Sequence, residues 1–118
     1  MPKDTKLTIF AVSDSTGDTA YRMANAAAKQ FQDSSITVEQ CGYIRTEPGV
    51  RAVVQKAVTN GNSVILYTLV SLWPSYVIYT ESWHHNIEAF GLLGFVTTCL
   101  ARRLQLTPLE KPGLLEEI

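Results

Sequence analysis

Two nearly continuous apolar runs, at residues 7–12 and 64–70, predict the buried strands of a parallel sheet. Strands that are covered on both faces show unbroken runs of aliphatic and aromatic residues, whereas strands with one solvent face alternate with polar residues. Residues 36–44 mix apolar and polar positions on both faces, which predicts a strand that is less buried or lies at an edge of the sheet.

The segments between these strands have the spacing of amphipathic helices. Apolar residues recur every three or four positions over residues 16–32 and again over 50–58. The second segment begins at Thr46-Glu47-Pro48 and ends at Asn60-Gly61, which are strong helix start and stop signals. The order β-α-β-α-β with right-handed crossovers predicts a three-layer α/β sandwich whose mainly parallel, doubly wound sheet is Rossmann-like. We expect strands 7–12 and 64–70 to lie side by side.

Beyond residue 70 the pattern is less regular. Residues 72–74 look like a turn into a third helix, but residues 76–80 are rich in β-formers and fit either a helix or a strand. Residues 95–104 predict a helix with cations at its end. The domain is therefore predicted to span residues 1–106, with 107–118 as an extended tail or linker. Four aromatic residues in the irregular part are predicted to pack in the core or at an interface: Trp73, Tyr76, Tyr79 and Trp83.

Composition narrows the function classes. A chain of 118 residues with 46% hydrophobic and 18% charged residues is typical of one soluble domain. The net charge of −1 and the lack of a basic cluster give no support for nucleic-acid binding. No apolar run approaches the ~20 residues of a membrane span, and the polar start does not look like a signal peptide. A cytoplasmic protein is expected.

The metal-ligand residue types do not form a recognisable site. Cys41 and Cys99 stand alone, and neither has a histidine at metal-ligand spacing. His84 and His85 are adjacent, so their side chains point in different directions on a helix or a strand. We therefore expect two reduced cysteines and no bound metal.

A dense polar turn follows the first strand and precedes the first helix. Backbone N–H groups at a helix start lack intrahelical partners and, with the helix dipole, favour a bound anion. The turn has neither the lysine of a Walker A loop nor the three glycines of a dinucleotide fingerprint. The candidate residues for binding phosphate or a nucleotide are Ser13, Asp14, Ser15, Thr16, Gly17, Asp18, Thr19 and Arg45. None of them is assigned a catalytic role.

A structural role explains the same turn equally well. In that interpretation Ser15 or Thr16 caps the helix, Asp18 complements its dipole, and Gly17 permits the tight turn. The two interpretations are about evenly balanced on the residues alone.

The topology places one cation near the turn. Parallel strands end at a common edge of the sheet, where ligands of such sheets bind. Arg45, after the second strand, is therefore expected to offset the charges of Asp14 and Asp18. We expect a weak, millimolar anion site on the backbone N–H groups of residues 16–18.

Several motifs together resemble the regulatory proteins of pyruvate, phosphate dikinase and phosphoenolpyruvate synthase. The resemblance is carried by a Val-Ser-Asp-Ser-Thr-Gly-Asp-Thr-Ala block and by shorter segments in the same order, at residues 12–20, 30–31, 44–46, 67–70 and 112–114. It implies the amino-terminal part of a bifunctional enzyme that phosphorylates a target threonine with ADP and removes the phosphate with inorganic phosphate. ADP and phosphate are then the implied ligands, and the dikinase or the synthase is the implied partner.

Two departures from that family bear on this chain. The family's P-loop lies in a carboxy-terminal domain, and no Gly-x-x-x-x-Gly-Lys pattern occurs here. Residues 72–91 also differ from the family's usual charged helix. This leaves two hypotheses. The first is a domain of a phosphotransfer enzyme whose polar turn contacts nucleotide, phosphate or the phosphorylated threonine, and the second is a non-catalytic module for target recognition or self-association. For the chain alone, no kinase or phosphorylase activity is predicted.

Overall fold

A four-stranded, all-parallel sheet organises the chain. The computed structural model describes residues 6–114. Strands and helices alternate in the order β1 (Lys6–Ser13), α1 (Asp18–Ala28), β2 (Ser35–Cys41), α2 (Glu47–Asn60), β3 (Ser63–Thr68), α3 (Leu72–His84), β4 (Glu88–Gly91) and α4 (Gly94–Leu104). The strands lie in the order β2-β1-β3-β4. The predicted α/β, Rossmann-like fold is confirmed.

The two central strands are β1 and β3, side by side and parallel as predicted. Their register pairs Thr8 with Ser63 and Ser13 with Thr68. The third strand ends at Thr68, two residues before the predicted end, because Val70 turns its N–H away from the ladder toward the side chain of Asp14. The residues that follow β3 therefore contact the turn that follows β1.

Side chains of β1 alternate between the two faces of the sheet. Phe10 and Val12 pack with the valines of α2 and with Ile65 in the main core, while Ile9 and Ala11 are buried outside that cluster. Helix α1 contacts β1, β2 and β3 and buries Ala20 and Ala24, whose small side chains allow close packing. Because the crossovers of parallel strands are right-handed, α1 covers one face of the sheet and α2 and α3 cover the other.

Helix α2 matches its prediction. The Thr46 side chain accepts a hydrogen bond from the Gly49 N–H at 3.1 Å, and Gly61 ends the helix with φ of 101°. Helix α1 is shorter than the predicted 16–32. It begins only after Gly17, whose φ of 92° is not helical, and it ends at Ala28. The edge position of β2 is confirmed, although it ends at Cys41 rather than at residue 44 because Tyr43 adopts a φ of 57°.

The region after residue 70 differs most from the expectations. Residues 76–80 are helical, and β4 is a strand that the sequence pattern does not indicate. Helix α4 begins one residue before its predicted start. Trp73, Tyr76, Tyr79 and Trp83 were predicted to pack in the core or at an interface, and the core alternative is wrong. All four are exposed, because α3 buries the opposite face. That buried face consists of Val77, Ile78 and Ser82.

Candidate functional site

The polar turn after β1 lies where the carboxyl ends of the central strands meet. Thr68, at the end of β3, pairs with Ser13, at the end of β1. Ser13, Asp14 and Ser15 are all buried even though they precede a surface helix. The topology thus places the turn at the ligand-binding edge of a parallel sheet.

Hydrogen bonds within the turn satisfy several of its polar groups. The Ser15 N–H donates to the Ser13 hydroxyl at 3.0 Å, and the Asp18 N–H donates to the Thr16 hydroxyl at 3.3 Å. Gly17 occupies the N-cap position in a left-handed conformation. The predicted cap is therefore present in part, because the Thr16 hydroxyl accepts the first helical N–H from outside the N-cap position.

The segment after β2 ties the turn down from one side. The Tyr43 N–H donates to the Ser15 carbonyl at 2.7 Å, and the next residue's N–H donates to the Ser13 carbonyl at 2.9 Å. The Gln40 side-chain amide donates to the Thr16 carbonyl at 2.8 Å and to the carboxylate of Asp18 at 3.0 Å. These hydrogen bonds hold the turn in one defined conformation, so it is not a flexible loop.

Gly42 permits this close approach. A Cβ at Gly42 would lie 2.5 Å from the Thr16 carbonyl oxygen and 2.9 Å from the Ser15 carbonyl oxygen, distances that no side chain tolerates. Sequence reasoning missed Gly42 and Gln40, because neither belongs to the turn. A glycine directly after an edge strand was the available signal.

Asp14 is held by the backbone rather than by a cation. Its carboxylate accepts the Val70 N–H at 2.8 Å, and only 5% of the residue is exposed. The Arg45 guanidinium donates from Nε to the Asp14 main-chain carbonyl at 2.7 Å and lies over the Tyr43 ring at 5.5 Å. Arg45 therefore supports the turn from behind and is not among the residues that line the cavity in front of it.

That cavity has a volume of about 370 Å³. Its polar floor is formed by turn residues and by Thr68, and its other walls come from α4 and from the segment after α4. The lining residues from the turn are Ser13, Asp14, Ser15, Gly17, Asp18 and Thr19. The structure thus brings six of the eight candidate residues together, while Thr16 and Arg45 lie outside the lining.

The segment 108–114 folds back over the turn. The carboxylate of Glu110 accepts the Leu72 N–H at the start of α3, at 2.7 Å. Pro108, Leu109, Lys111 and Leu114 face the cavity and add mostly apolar surface. Sequence reasoning missed this wall, although the left-handed Gly113, with φ of 80°, belongs to a Pro-Gly pair that signals a turn.

The side-chain charges around the cavity are mainly negative. Asp14, Asp18 and Glu110 contribute carboxylates, and Lys111 contributes an ammonium group. Each carboxylate already accepts a hydrogen bond from the protein. Apolar walls with a few convergent polar groups suit an organic ligand. Binding of a phosphoryl group in this cavity requires backbone N–H groups, hydroxyls and Lys111, or a cation that accompanies the phosphoryl group.

No cysteine or histidine is among the residues that line the cavity over the turn. In the described part of the chain no group of three His, Cys, Asp or Glu side chains lies close enough together for a metal ion. Burial, with a smaller contribution from Glu39, raises the pKa of the Cys41 thiol. Within residues 6–114, no helix has both the length and the apolar character to cross a bilayer.

The chain is similar to known proteins along nearly its whole length. The model of the family described as "Kinase/pyrophosphorylase" matches residues 9–118, a range that includes the divergent residues 72–91. A relative from Trichlorobacter lovleyi, named "Putative pyruvate, phosphate dikinase regulatory protein", is 32% identical over 110 residues, which are 93% of this chain and 40% of the relative.

Two further relatives carry the same name. The one from Geobacillus kaustophilus is 31% identical over 89% of this chain, and the one from Clostridium tetani is 32% identical over 91%. In both cases 39% of the relative is covered, so the chain spans about two fifths of the length of the curated relatives it matches. With its Rossmann-like sheet and its polar turn inside the matched range, this chain belongs to the kinase/pyrophosphorylase family.

Proposed function

We propose that this chain is the amino-terminal part of a cytoplasmic serine/threonine kinase and phosphate-dependent pyrophosphorylase that regulates pyruvate, phosphate dikinase or phosphoenolpyruvate synthase. The family match over residues 9–118 carries the proposal. In this proposal ADP donates its β-phosphoryl group to a threonine of the target enzyme and leaves as AMP. In a separate reaction inorganic phosphate accepts that phosphoryl group from the phosphothreonine, which releases pyrophosphate and restores the threonine.

The cavity over the turn is the proposed ligand-contact site. Its walls are mostly apolar, which suits a nucleotide base or the side chains around a target threonine. Ser15 and Thr19 supply hydroxyls to the floor, and Lys111 supplies a positive charge. Asp14 and Arg45 are proposed to hold the turn in shape, because both bind main-chain groups of the site.

A second candidate function is a non-catalytic module for target recognition. The observation in its favour is that the 118 residues hold no Gly-x-x-x-x-Gly-Lys pattern. Phosphoryl transfer requires positioned cations and a phosphate cradle. In this version the chain binds the target enzyme or the ligand, and a separate phosphate-binding loop performs the chemistry.

A chimera tests the first proposal. The amino-terminal two fifths of the Trichlorobacter lovleyi relative are replaced by this chain, and ADP-dependent threonine phosphorylation of pyruvate, phosphate dikinase is measured against the unmodified relative as the positive control. We expect the chimera to be active and the substitutions Ser15→Ala and Thr19→Val to lower its rate at least tenfold, which corresponds to ~1.4 kcal/mol. The matched control Thr59→Ala, on the exposed side of α2, keeps the full rate.

Two outcomes contradict the proposal. A chimera that folds but is inactive while the parent is active shows that this chain does not supply the family's amino-terminal function. A chimera whose activity survives both turn substitutions shows that the turn contacts no reacting ligand.

The chain alone, given dikinase and ADP, is expected to phosphorylate nothing above background. Phosphorylation by the chain alone contradicts the assignment of the chemistry to another segment.

A further inference from the structure

The segment 108–114, which we call the strap, covers the cavity over the polar turn. Six of its seven residues line that cavity, opposite the floor at the carboxyl ends of β1 and β3. On the floor, Ser13, Asp14 and Thr68 are at most 8% exposed. A ligand that contacts these groups therefore lies beneath the strap.

Glu110 fastens the strap to the start of α3. Its carboxylate accepts the N–H of Leu72, the first residue of the helix, at 2.7 Å and from 38 positions away in the chain. The N-cap residue Ser71 makes no side-chain cap, and the first turn of α3 contains no acidic residue. Because the N–H groups and the dipole at a helix start favour a carboxylate, Glu110 supplies the cap that the helix itself lacks.

The backbone of the strap adopts conformations that depend on its contacts. Glu110 has a φ of 55°, in the left-handed region that residues with a side chain rarely adopt, and Gly113 has a φ of 80°. Gln105, which ends α4, is also left-handed, with φ of 56°. Such conformations cost free energy and persist where surrounding contacts hold them. Loss of the bond between Glu110 and Leu72 therefore favours another conformation of the strap.

The strap packs loosely, in contrast to the turn below it. Leu109 is 79% exposed and Leu114 is 45% exposed, and residues 106–111 form neither helix nor strand. The turn is held by hydrogen bonds of 2.7–2.9 Å to the end of β2 and the segment that follows it. Segments that bury little apolar surface open locally at a small cost in free energy. The floor of the cavity is thus fixed, while its cover can detach.

The connection between β3 and α3 links the cover to the floor. The Val70 N–H donates to the Asp14 carboxylate on the floor, and two positions later the Leu72 N–H donates to Glu110 in the strap. Both carboxylates line the same cavity. Because like charges repel, an anionic group that enters the cavity disfavours the bound position of the Glu110 carboxylate.

We propose that the strap is a gate, that Glu110 latches it closed on the N-terminus of α3, and that a ligand reaches the floor of the cavity when this latch opens. The identity of the ligand rests on the proposed function. A phosphoryl-bearing ligand carries the negative charge that repels the Glu110 carboxylate, so it binds the open state better and shifts the population toward it.

Thiol labelling of the cavity floor tests the gate. Thr68→Cys is made in a chain that also carries Cys41→Ser and Cys99→Ser, and its reaction with a fluorescent maleimide is timed. Adding Glu110→Ala should raise the labelling rate by ~tenfold or more, because the reagent reacts with the open state and the latch keeps that state rare. Glu110→Gln, which keeps an uncharged acceptor, should give an intermediate rate. The control Asp33→Ala removes an exposed carboxylate that does not line the cavity and should not change the rate.

Hydrogen exchange of the Val70 amide gives a second measurement that needs no cysteine variant. This amide keeps its acceptor, Asp14, when Glu110 is replaced. We expect Glu110→Ala to speed its exchange by ~tenfold or more and to leave the Ala11 amide in the centre of β1 unchanged. Unchanged labelling and unchanged Val70 exchange overturn the proposal. Equal acceleration at Val70 and Ala11 overturns it as well, because the whole domain has then lost stability.

Both measurements are made without a ligand, so failure of the gate is distinguishable from failure of the proposed function. A missing gate appears as labelling that Glu110→Ala does not accelerate. A missing ligand contact appears in the chimera, as activity that survives the substitutions Ser15→Ala and Thr19→Val.

Discussion

Helices α2 and α4 both have an apolar stripe, but only α2 buries it. Helix α2 places Val50, Val53, Val54 and Ala57 in the core. Helix α4 has no buried residue, and Phe95 at its start is 87% exposed. The two helices also begin differently, because α2 has the Thr46 side-chain cap and α4 has no side-chain cap.

The difference shows what a hydrophobic pattern can and cannot predict. The spacing of apolar residues predicts that a helix forms and which of its sides is apolar, but it does not predict what covers that side. An isolated helix of 11 residues is marginal in water. The order of α4 therefore depends on what packs against its apolar side, whereas α2 is stabilised by a core that the first seventy residues largely build.

The largest expected difference between the two helices comes from the same substitution, valine to alanine, made in each of them. Val54→Ala removes two buried methyl groups from α2, where the residue is 2% exposed, and should lower the free energy of unfolding by about 2–3 kcal/mol. Val96→Ala in α4, where the residue is 58% exposed, should leave the free energy of unfolding unchanged or raise it by a few tenths of a kcal/mol, because alanine favours helices. Urea unfolding followed by circular dichroism measures both. Equal losses would show that α4 is packed as firmly as α2.

The next largest effect on the free energy of unfolding is expected for a glycine-to-alanine substitution beside the turn. Gly42→Ala pushes a methyl group against the Thr16 and Ser15 carbonyls, so the free energy of unfolding should fall by about 1–3 kcal/mol and the amide resonances of the turn should shift. Gly94→Ala, at the start of α4, meets no atom within 4 Å and should be neutral or slightly stabilising. A harmless Gly42→Ala substitution would mean that the turn is not tied to the segment after β2.

The cap of α2 gives the smallest effect of the three. Thr46→Ala removes the acceptor of the Gly49 N–H and should lower the free energy of unfolding by ~1 kcal/mol. Thr59→Ala, at an exposed position near the end of the same helix, serves as the matched control and should change it by less than ~0.5 kcal/mol. Equal effects of the two substitutions would remove the cap from the explanation of why α2 is the firmer helix.

The sequence predicts the elements whose signals are local. The aliphatic runs of β1 and β3, the Thr46 cap and the Gly61 stop all lie within or next to the elements that they define. Strand β4 has four residues, including Glu88 and Gly91, and forms because β3 offers it a partner. Its existence depends on pairing and is not visible in its own composition.

The candidate site was predictable in part for the same reason. The turn residues 13–19 are contiguous, so their density of hydroxyls and carboxylates is conspicuous in the sequence. The contacts that shape the site are long-range: Val70 with Asp14, Gln40 with Thr16, and the segment 108–114 over the turn. Such contacts follow from topology, and no local pattern encodes them.

Phosphate titration monitored by amide resonances tests the proposed ligand contact of the turn most directly. Labelled protein is titrated with phosphate to about 50 mM, well above a millimolar dissociation constant, at constant ionic strength. We expect saturable shifts of the Thr16, Gly17 and Asp18 amides, with no shift at Gly94 in the matched start of α4. If those three amides do not respond while the protein stays folded, the turn is a structural cap and binds no phosphoryl group by itself.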